Sequence, residues 1–152
     1  MGRITKEHIK TREKVFVAIT WTHLRRWVSE EFIARSERWK ATVGDVSVDI
    51  CSMDDDCDTA CIYAPVRFGG TCTVVRVWIS SYEMNLYKYS CSCEECEDDG
   101  KFCTHCCAVL LKAIDKYRKK YPNLASGVDF QRPGVVEETV DGDAVMQEDA
   151  GQ

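Results

Sequence analysis

The chain has 152 residues, of which 45% are hydrophobic, and its formal net charge is −5 at pH 7. A chain of this length and composition is typical of one globular domain, which excludes a wholly disordered protein. The charge is uneven, because the segment from Pro133 onward contains six acids and no Lys or Arg, which leaves 20 basic and 19 acidic residues in the remainder. A nearly neutral body neither requires nor excludes nucleic-acid binding.

The ten cysteines would indicate disulfides in a secreted protein. The first 15 residues are charged throughout and lack the apolar stretch of a secretory signal. No apolar run approaches the roughly 20 residues that a membrane helix needs. We therefore expect an intracellular protein that is neither secreted nor membrane-bound, with cysteines that are thiols or metal ligands.

Residues 1–19 form a basic N-terminal arm followed by a short apolar run at 15–19, which is too short to assign by its period. Beyond them, apolar residues recur at three- and four-residue steps and predict an amphipathic helix over 22–39. Thr20 and Thr22 are both suitable N-caps for that helix.

A β-rich region follows Gly44. Apolar and polar residues alternate over 46–50, which predicts a strand with one solvated face, and an acidic loop at 54–56 follows it. Residues 59–64 and 71–80 are rich in β-branched and aromatic types, and Pro65 and Gly69-Gly70 between them indicate a hairpin connection. A further alternating run at 86–90 leads into a cysteine cluster.

After that cluster, an apolar pattern predicts a second helix that ends near Lys120, just before Tyr121-Pro122. Residues 122–152 are predicted to be an acidic, largely disordered tail. The elements together predict an α+β fold, in which residues 20–121 are one domain with a small antiparallel sheet and flanking helices.

The cysteine cluster has the spacing of a zinc site. Cys91 and Cys93 would share one face if they continue the preceding strand, because strand side chains repeat every second residue. Cys103 and His105 fall just before and just inside the start of the second helix, and Asp99-Gly100 between the pairs is a turn signal. The sequence therefore predicts one structural zinc ion, Zn²⁺, that joins a β-segment to a helix.

Other interpretations of these thiols remain open. Cys93, Cys96, Cys103 and Cys106 form two Cys-x2-Cys knuckles, but the six residues between them are fewer than zinc ribbons typically have, and His105 would be idle. The thiols could also pack as small hydrophobes, or one could be a nucleophile with His105 as its base. A second metal site is a further possibility, with ordinary core packing as the default, and its candidate ligands are Cys51, Cys57, Cys61 and Cys72.

The order Cys-x-Cys, nine residues, Cys-x-His, then an apolar helix resembles the SWIM zinc finger over residues 89–114. The helix around Phe32-Ile33 and residues 64–77 look like the β-rich region before the finger in SWIM-containing helicase-like proteins. The resemblance implies a finger at 86–120 with ligands Cys91, Cys93, Cys103 and His105. It also implies DNA or protein binding, as in Mutator-like transposases and ubiquitin-ligase assemblies, and a nuclear or cytoplasmic location.

The expected function is that of an interaction module for nucleic acid, protein or both. Basic residues could contact phosphates, although cations at a helix end also oppose its dipole. The candidate partner-binding residues are Arg25, Arg26, Lys112, Lys116, Lys119 and Lys120. The acidic loop between the ligand pairs would repel a phosphate backbone, so it should face elsewhere.

We do not expect an enzyme or a small-molecule substrate, because the sequence contains no phosphate-binding glycine loop and no nucleophile motif. The alternative is an accessory subunit or a remnant of a larger enzyme, such as a transposase, helicase or ubiquitin-ligase assembly, that acts only through protein contacts.

Overall fold

The computed structural model describes residues 6–49, 59–93, 96 and 100–125. The helices are α1 (Lys6–Val17), α2 (Trp21–Trp27), α3 (Glu30–Trp39), α4 (Thr104–Lys120) and α5 (Pro122–Ala125), with a 3₁₀ turn at Lys40–Thr42. The strands are β1 (Ser47–Val48), β2 (Thr59–Phe68), β3 (Thr71–Ser80) and β4 (Asn85–Ser90). They form one antiparallel sheet in the order β1-β2-β3-β4, so the predicted α+β fold is confirmed.

The core lies between one face of the sheet and helix α4. Val75, Val77 and Ile79 of β3 are fully buried, while the residues between them are more exposed, as expected for a strand with one covered face. Helix α4 packs against both β2 and β3, and also against α1 and α3. Its predicted end near Lys120 is confirmed.

Helix α1 accounts for most of the apolar run that the sequence left unassigned. Phe16 is fully buried, and its ring centroid lies 6.1 Å from that of Tyr117 on α4. The buried Glu13 forms an ion pair of 2.9 Å with Lys120 and accepts a hydrogen bond from the Tyr121 hydroxyl. The described part of the N-terminal segment is therefore packed on the last long helix.

The helix predicted over 22–39 is two helices in the structure. Thr20 caps α2 by accepting the His23 N–H, and the His23 side chain reciprocates, which confirms Thr20 as an N-cap. The chain is extended at Val28, and Ser29 caps α3 by accepting the Phe32 N–H at 3.1 Å. Prediction of one continuous helix was wrong because Ser29 is a strong cap in the middle of an unbroken apolar pattern.

The sheet also differs from the sequence prediction at two places. Pro65 lies inside β2 rather than in the hairpin, whose turn is formed by Gly69 and Gly70, both with positive φ. Pro65 is tolerated because β1 pairs only with Tyr63 and Ile62, so the missing N–H falls beyond the end of β1. The strand predicted over 46–50 is formed at Ser47–Val48, and its last residue lies outside the described residues.

Glycine is required where the segment before β1 crosses Pro65. The Gly44 N–H donates to the Pro65 carbonyl at 2.7 Å, and a Cβ on Gly44 would lie 2.7 Å from the Pro65 ring. Any larger residue would push the two segments apart.

The acidic loop at 54–56 and the chain from residue 126 onward lie outside the described residues, and the predicted domain boundaries stay predictions. None of the described helices has the length and apolar character needed to cross a membrane.

Candidate metal centre

Four ligand-bearing residues meet where the end of β4 faces the start of α4. Cys91 and Cys93 follow directly after β4, beyond the strand rather than within it. Cys103 is the N-cap of α4, and His105 lies in the first turn of that helix, as the sequence predicted. A strand end and a helix start thus supply two potential ligands each.

The donor atoms of Cys91, Cys93, Cys103 and His105 all lie within 4.8 Å of one another. His105 Nδ1 is 3.8 Å from Cys91 Sγ and 3.7 Å from Cys103 Sγ. In a tetrahedral site with bonds of about 2.0–2.3 Å, neighbouring donors are about 3.5–3.8 Å apart. The residues therefore form a group that can hold a metal ion.

The centre is shielded from solvent. Cys103 is 0% exposed, Cys91 5% and His105 8%, while Cys93 is partly exposed. Buried polar side chains are costly unless they are hydrogen bonded or bound to a metal. A closed and protected set of donors is characteristic of structural metal sites.

Aromatic side chains hold the centre against the helices. The Trp39 ring, at the end of α3, packs edge-on against the His105 ring with centroids 4.6 Å apart. Phe102, next to Cys103, lies between Tyr89 and Phe32, with centroid distances of 5.2 and 6.3 Å respectively. These contacts orient both ligand pairs toward the same point.

The loop between the two ligand pairs is closed by a hydrogen bond. The Tyr89 hydroxyl donates to the Gly100 carbonyl at 3.0 Å. Gly100 has a φ of +66°, a left-handed conformation that glycine adopts without strain. The turn predicted from Asp99-Gly100 therefore has its glycine where the backbone requires one.

The thiols of the centre influence one another. Hydrogen bonds from the thiols of Cys103 and Cys106 lower the pKa of Cys91 to about 3, whereas burial raises the pKa of Cys93 to about 12. A hydrogen bond with the Cys106 thiol also lowers the pKa of Cys103. The neighbouring thiols thus favour the thiolate form of Cys91, whereas burial favours the protonated form of Cys93.

Four lysines from α4 were predicted as partner-binding residues, and the structure places them along one groove of about 600 Å³. Three of them have bonds within the protein: Lys112 donates to the Val43 carbonyl, Lys116 donates to the Val46 carbonyl and pairs with Asp45, and Lys120 pairs with Glu13. Lys119 is exposed. Lys112, Lys116 and Lys120 thus hold neighbouring segments against α4.

Arg25 and Arg26, the other predicted partner-binding residues, do not line that groove. Both are exposed on α2, and Arg25 forms an ion pair of 3.2 Å with Glu30. The candidate basic residues therefore do not form one continuous lining around the groove.

The possible second metal site is only partly within the described residues. Cys61 pairs with Trp78, and Cys72 pairs with Arg67, which puts the two cysteines six positions apart along β2. That separation is roughly 20 Å, so these two thiols do not share an ion. Cys51 and Cys57 lie outside the described residues.

No protein-family model, curated protein or solved structure matches this chain.

The sequence analysis missed the contribution of Trp39 and weighed Cys106 only as part of the rival knuckle set. Cys106 Sγ lies 3.6 Å from Cys103 Sγ and is fully buried. Its position three residues after Cys103, on the same face of the first helical turn, is the signal that could have placed it beside the ligands. Trp39 is distant in sequence and gave no comparable signal.

Proposed function

We propose that this protein is a zinc-binding interaction module of the SWIM-finger type that binds a nucleic acid, a protein or both, and catalyses nothing. The observation that carries the proposal is the convergence of three thiols and one imidazole at the start of α4. Their spacing along the chain is that of the SWIM finger. The ion acts as a structural staple between the β4 end and α4.

The donor set favours zinc over other common cations. Calcium and magnesium prefer oxygen ligands, whereas thiolates with an imidazole are typical of structural zinc. When bound, the ion would be held by Cys91 Sγ, Cys93 Sγ, Cys103 Sγ and His105 Nδ1. Four protein ligands complete a tetrahedral shell, which leaves no position for a substrate or an activated water.

The charges on the surface bear on the choice of partner. Lys112, Lys116 and Lys120 already bond to groups of the protein, which supports protein contacts over an extended phosphate interface. Arg26 and Lys119 are exposed cations that could contact phosphates. With Arg25 they would make at most a few phosphate contacts, which is compatible with weak, salt-sensitive nucleic-acid binding.

The metal half of the proposal is tested by native mass spectrometry of the full chain. We expect one zinc per chain, and its loss when Cys91, Cys103 or His105 is replaced singly by Ser or Ala. Cys72→Ser is the matched control, because Cys72 is an exposed thiol that is not part of the group. A parent protein that never binds metal would refute the proposal.

The nucleic-acid half is tested by fluorescence anisotropy with labelled DNA and RNA across a salt series. Two or three phosphate contacts predict that affinity falls roughly 10- to 40-fold between 50 and 200 mM salt. Arg26→Ala and Lys119→Ala should weaken binding and flatten this dependence. No binding at low salt would remove nucleic acid as a partner and leave protein contacts alone.

The second candidate is an accessory subunit or remnant of a larger enzyme that acts only through protein contacts in a nuclear or cytoplasmic assembly. The internal bonding of the α4 lysines favours it. Co-purification with a separate ATPase or nuclease would support it, whereas a solitary monomer in cell extracts would count against it.

A further inference from the structure

Cys106 lies at the metal centre, although it is not one of the four proposed ligands. Its backbone N–H donates to Cys103 Sγ at 3.5 Å, and its Sγ lies 3.6 Å from that same sulfur. A sulfur 3.6 Å from a ligand sulfur is at the distance that donors of one tetrahedral ion have from each other.

Cys107, the next residue, shows that this placement is specific. Cys107 is also fully buried, but its thiol lies beside Ser36 of α3, and burial raises its pKa to about 12. The chain thus contains its own control for a buried thiol in the first turn of α4.

Cys106 and His105 both project from the first turn of α4. His105 Nδ1 lies 3.7 Å from Cys103 Sγ, and Cys106 Sγ lies 3.6 Å from the same atom. Each can therefore be the second donor from this helix without moving Cys103. Cys106 is therefore a fifth potential donor at the edge of the four-residue group, in contact with one of its sulfurs.

We propose that Cys106 is a reserve ligand that can replace His105, so that the centre binds a thiophilic divalent cation through four thiolates. This inference rests on the proposed metal-binding function and extends it to a second coordination state. In the exchange, the bond from the metal to His105 Nδ1 breaks and a bond to Cys106 Sγ forms. The Cys106 thiol gives its proton to solvent, and the imidazole leaves as a neutral group.

The exchange changes the charge and the preference of the centre. A divalent ion with three thiolates and an imidazole carries a net charge of about −1, and one with four thiolates about −2. Softer ions gain more from an additional sulfur ligand. Cadmium should therefore populate the four-thiolate state more than zinc does.

The test is cadmium titration of the full-length parent chain and of His105→Ala. The intensity of thiolate-to-metal charge-transfer absorption per bound ion reports the number of sulfur ligands. His105→Ala should bind one cadmium ion with the intensity of four thiolates. The double variant His105→Ala/Cys106→Ser should fall to three thiolates and bind at least tenfold more weakly, whereas His105→Ala/Cys107→Ser should behave as His105→Ala does.

The proposal is overturned if His105→Ala shows three thiolates or fewer, or if the double variant with Cys106→Ser keeps four. Circular dichroism of each variant establishes that α4 is formed. The number of thiolate ligands measured for His105→Ala does not depend on whether the double variants fold. A parent that binds no metal would refute the proposed function itself, whereas a metal-binding parent with a three-thiolate His105→Ala variant would refute this inference alone.

Discussion

Removal of the metal should destabilise the protein by an amount that can be estimated from the site. Chelation would leave Cys91, Cys103 and His105 buried without a cation that their donor atoms could surround. Structural zinc sites have apparent binding free energies of about 10–16 kcal/mol. The free energy that corresponds to a Kd near 1 nM lies within this range. At about 1 μM free zinc, such a site stabilises the folded state by about 4 kcal/mol.

For a chain of about 150 residues, each kcal/mol shifts Tm by about 2–4 °C. The metal-loaded protein should therefore melt about 8–16 °C above the chelated protein in a calorimetric scan. Cys91→Ser should melt like the chelated parent, with or without added zinc. Cys72→Ser should keep the full zinc-dependent shift, because its exposed thiol is on β3 and not in the group.

A parent protein whose Tm changes by less than about 2 °C on complete chelation would contradict this reasoning. So would a Cys91→Ser variant that retains the zinc-dependent shift. Either result would mean that packing of α4 on the sheet is sufficient without the ion.

Three further predictions concern groups around the site. Lys116→Met should lower the free energy of unfolding in denaturant titrations by about 1–2 kcal/mol, because the Val46 carbonyl loses its donor. The control Lys119→Met, at an exposed position, should change it by less than about 0.5 kcal/mol. Equal effects of the two substitutions would show that the groove contacts are unimportant. Tyr89→Phe removes the hydrogen bond to Gly100 and should weaken zinc affinity by up to about tenfold in competition with a chelator, whereas Tyr87→Phe, on the same strand and exposed, should not. Burial raises the pKa of Cys93 to about 12, so this thiol is protonated at pH 7 without metal, and zinc binding should release at least one proton. Zinc affinity should therefore fall about tenfold per pH unit, for each proton released, as pH decreases. Calorimetry in buffers of different ionisation enthalpy measures this release, and a value of zero would contradict the ligand role of Cys93.

The convergence of Cys91, Cys93, Cys103 and His105 into a group that could hold a metal ion was predictable because its geometry is local. Cys103 and His105 flank a helix start, and Cys91 and Cys93 follow a strand, so each pair is positioned by its own element. The fold class was predictable from periodicity, and the end of α4 from Tyr121-Pro122, because both signals are local.

Contacts between distant segments were beyond what the pattern could indicate. The Lys112 and Lys116 ammonium groups bond to carbonyls 69 and 70 residues earlier, so a stripe that resembles a phosphate-binding surface holds the chain before β1. Pro65 is accommodated in β2 only because β1 is short. The lysine contacts and the position of Pro65 both depend on which segment of the chain packs beside them. Hydrophobic periodicity contains no information about that segment.

Cys103 is both the residue that caps α4 and one of the metal-binding group. An ion bound there would fix the starting residue of a helix that has ten buried side chains. A shift of the start by one residue would rotate every following side chain by about 100° and turn the apolar stripe away from the sheet. Metal coordination at the start of α4 would thus fix the rotation of the entire helix about its own axis.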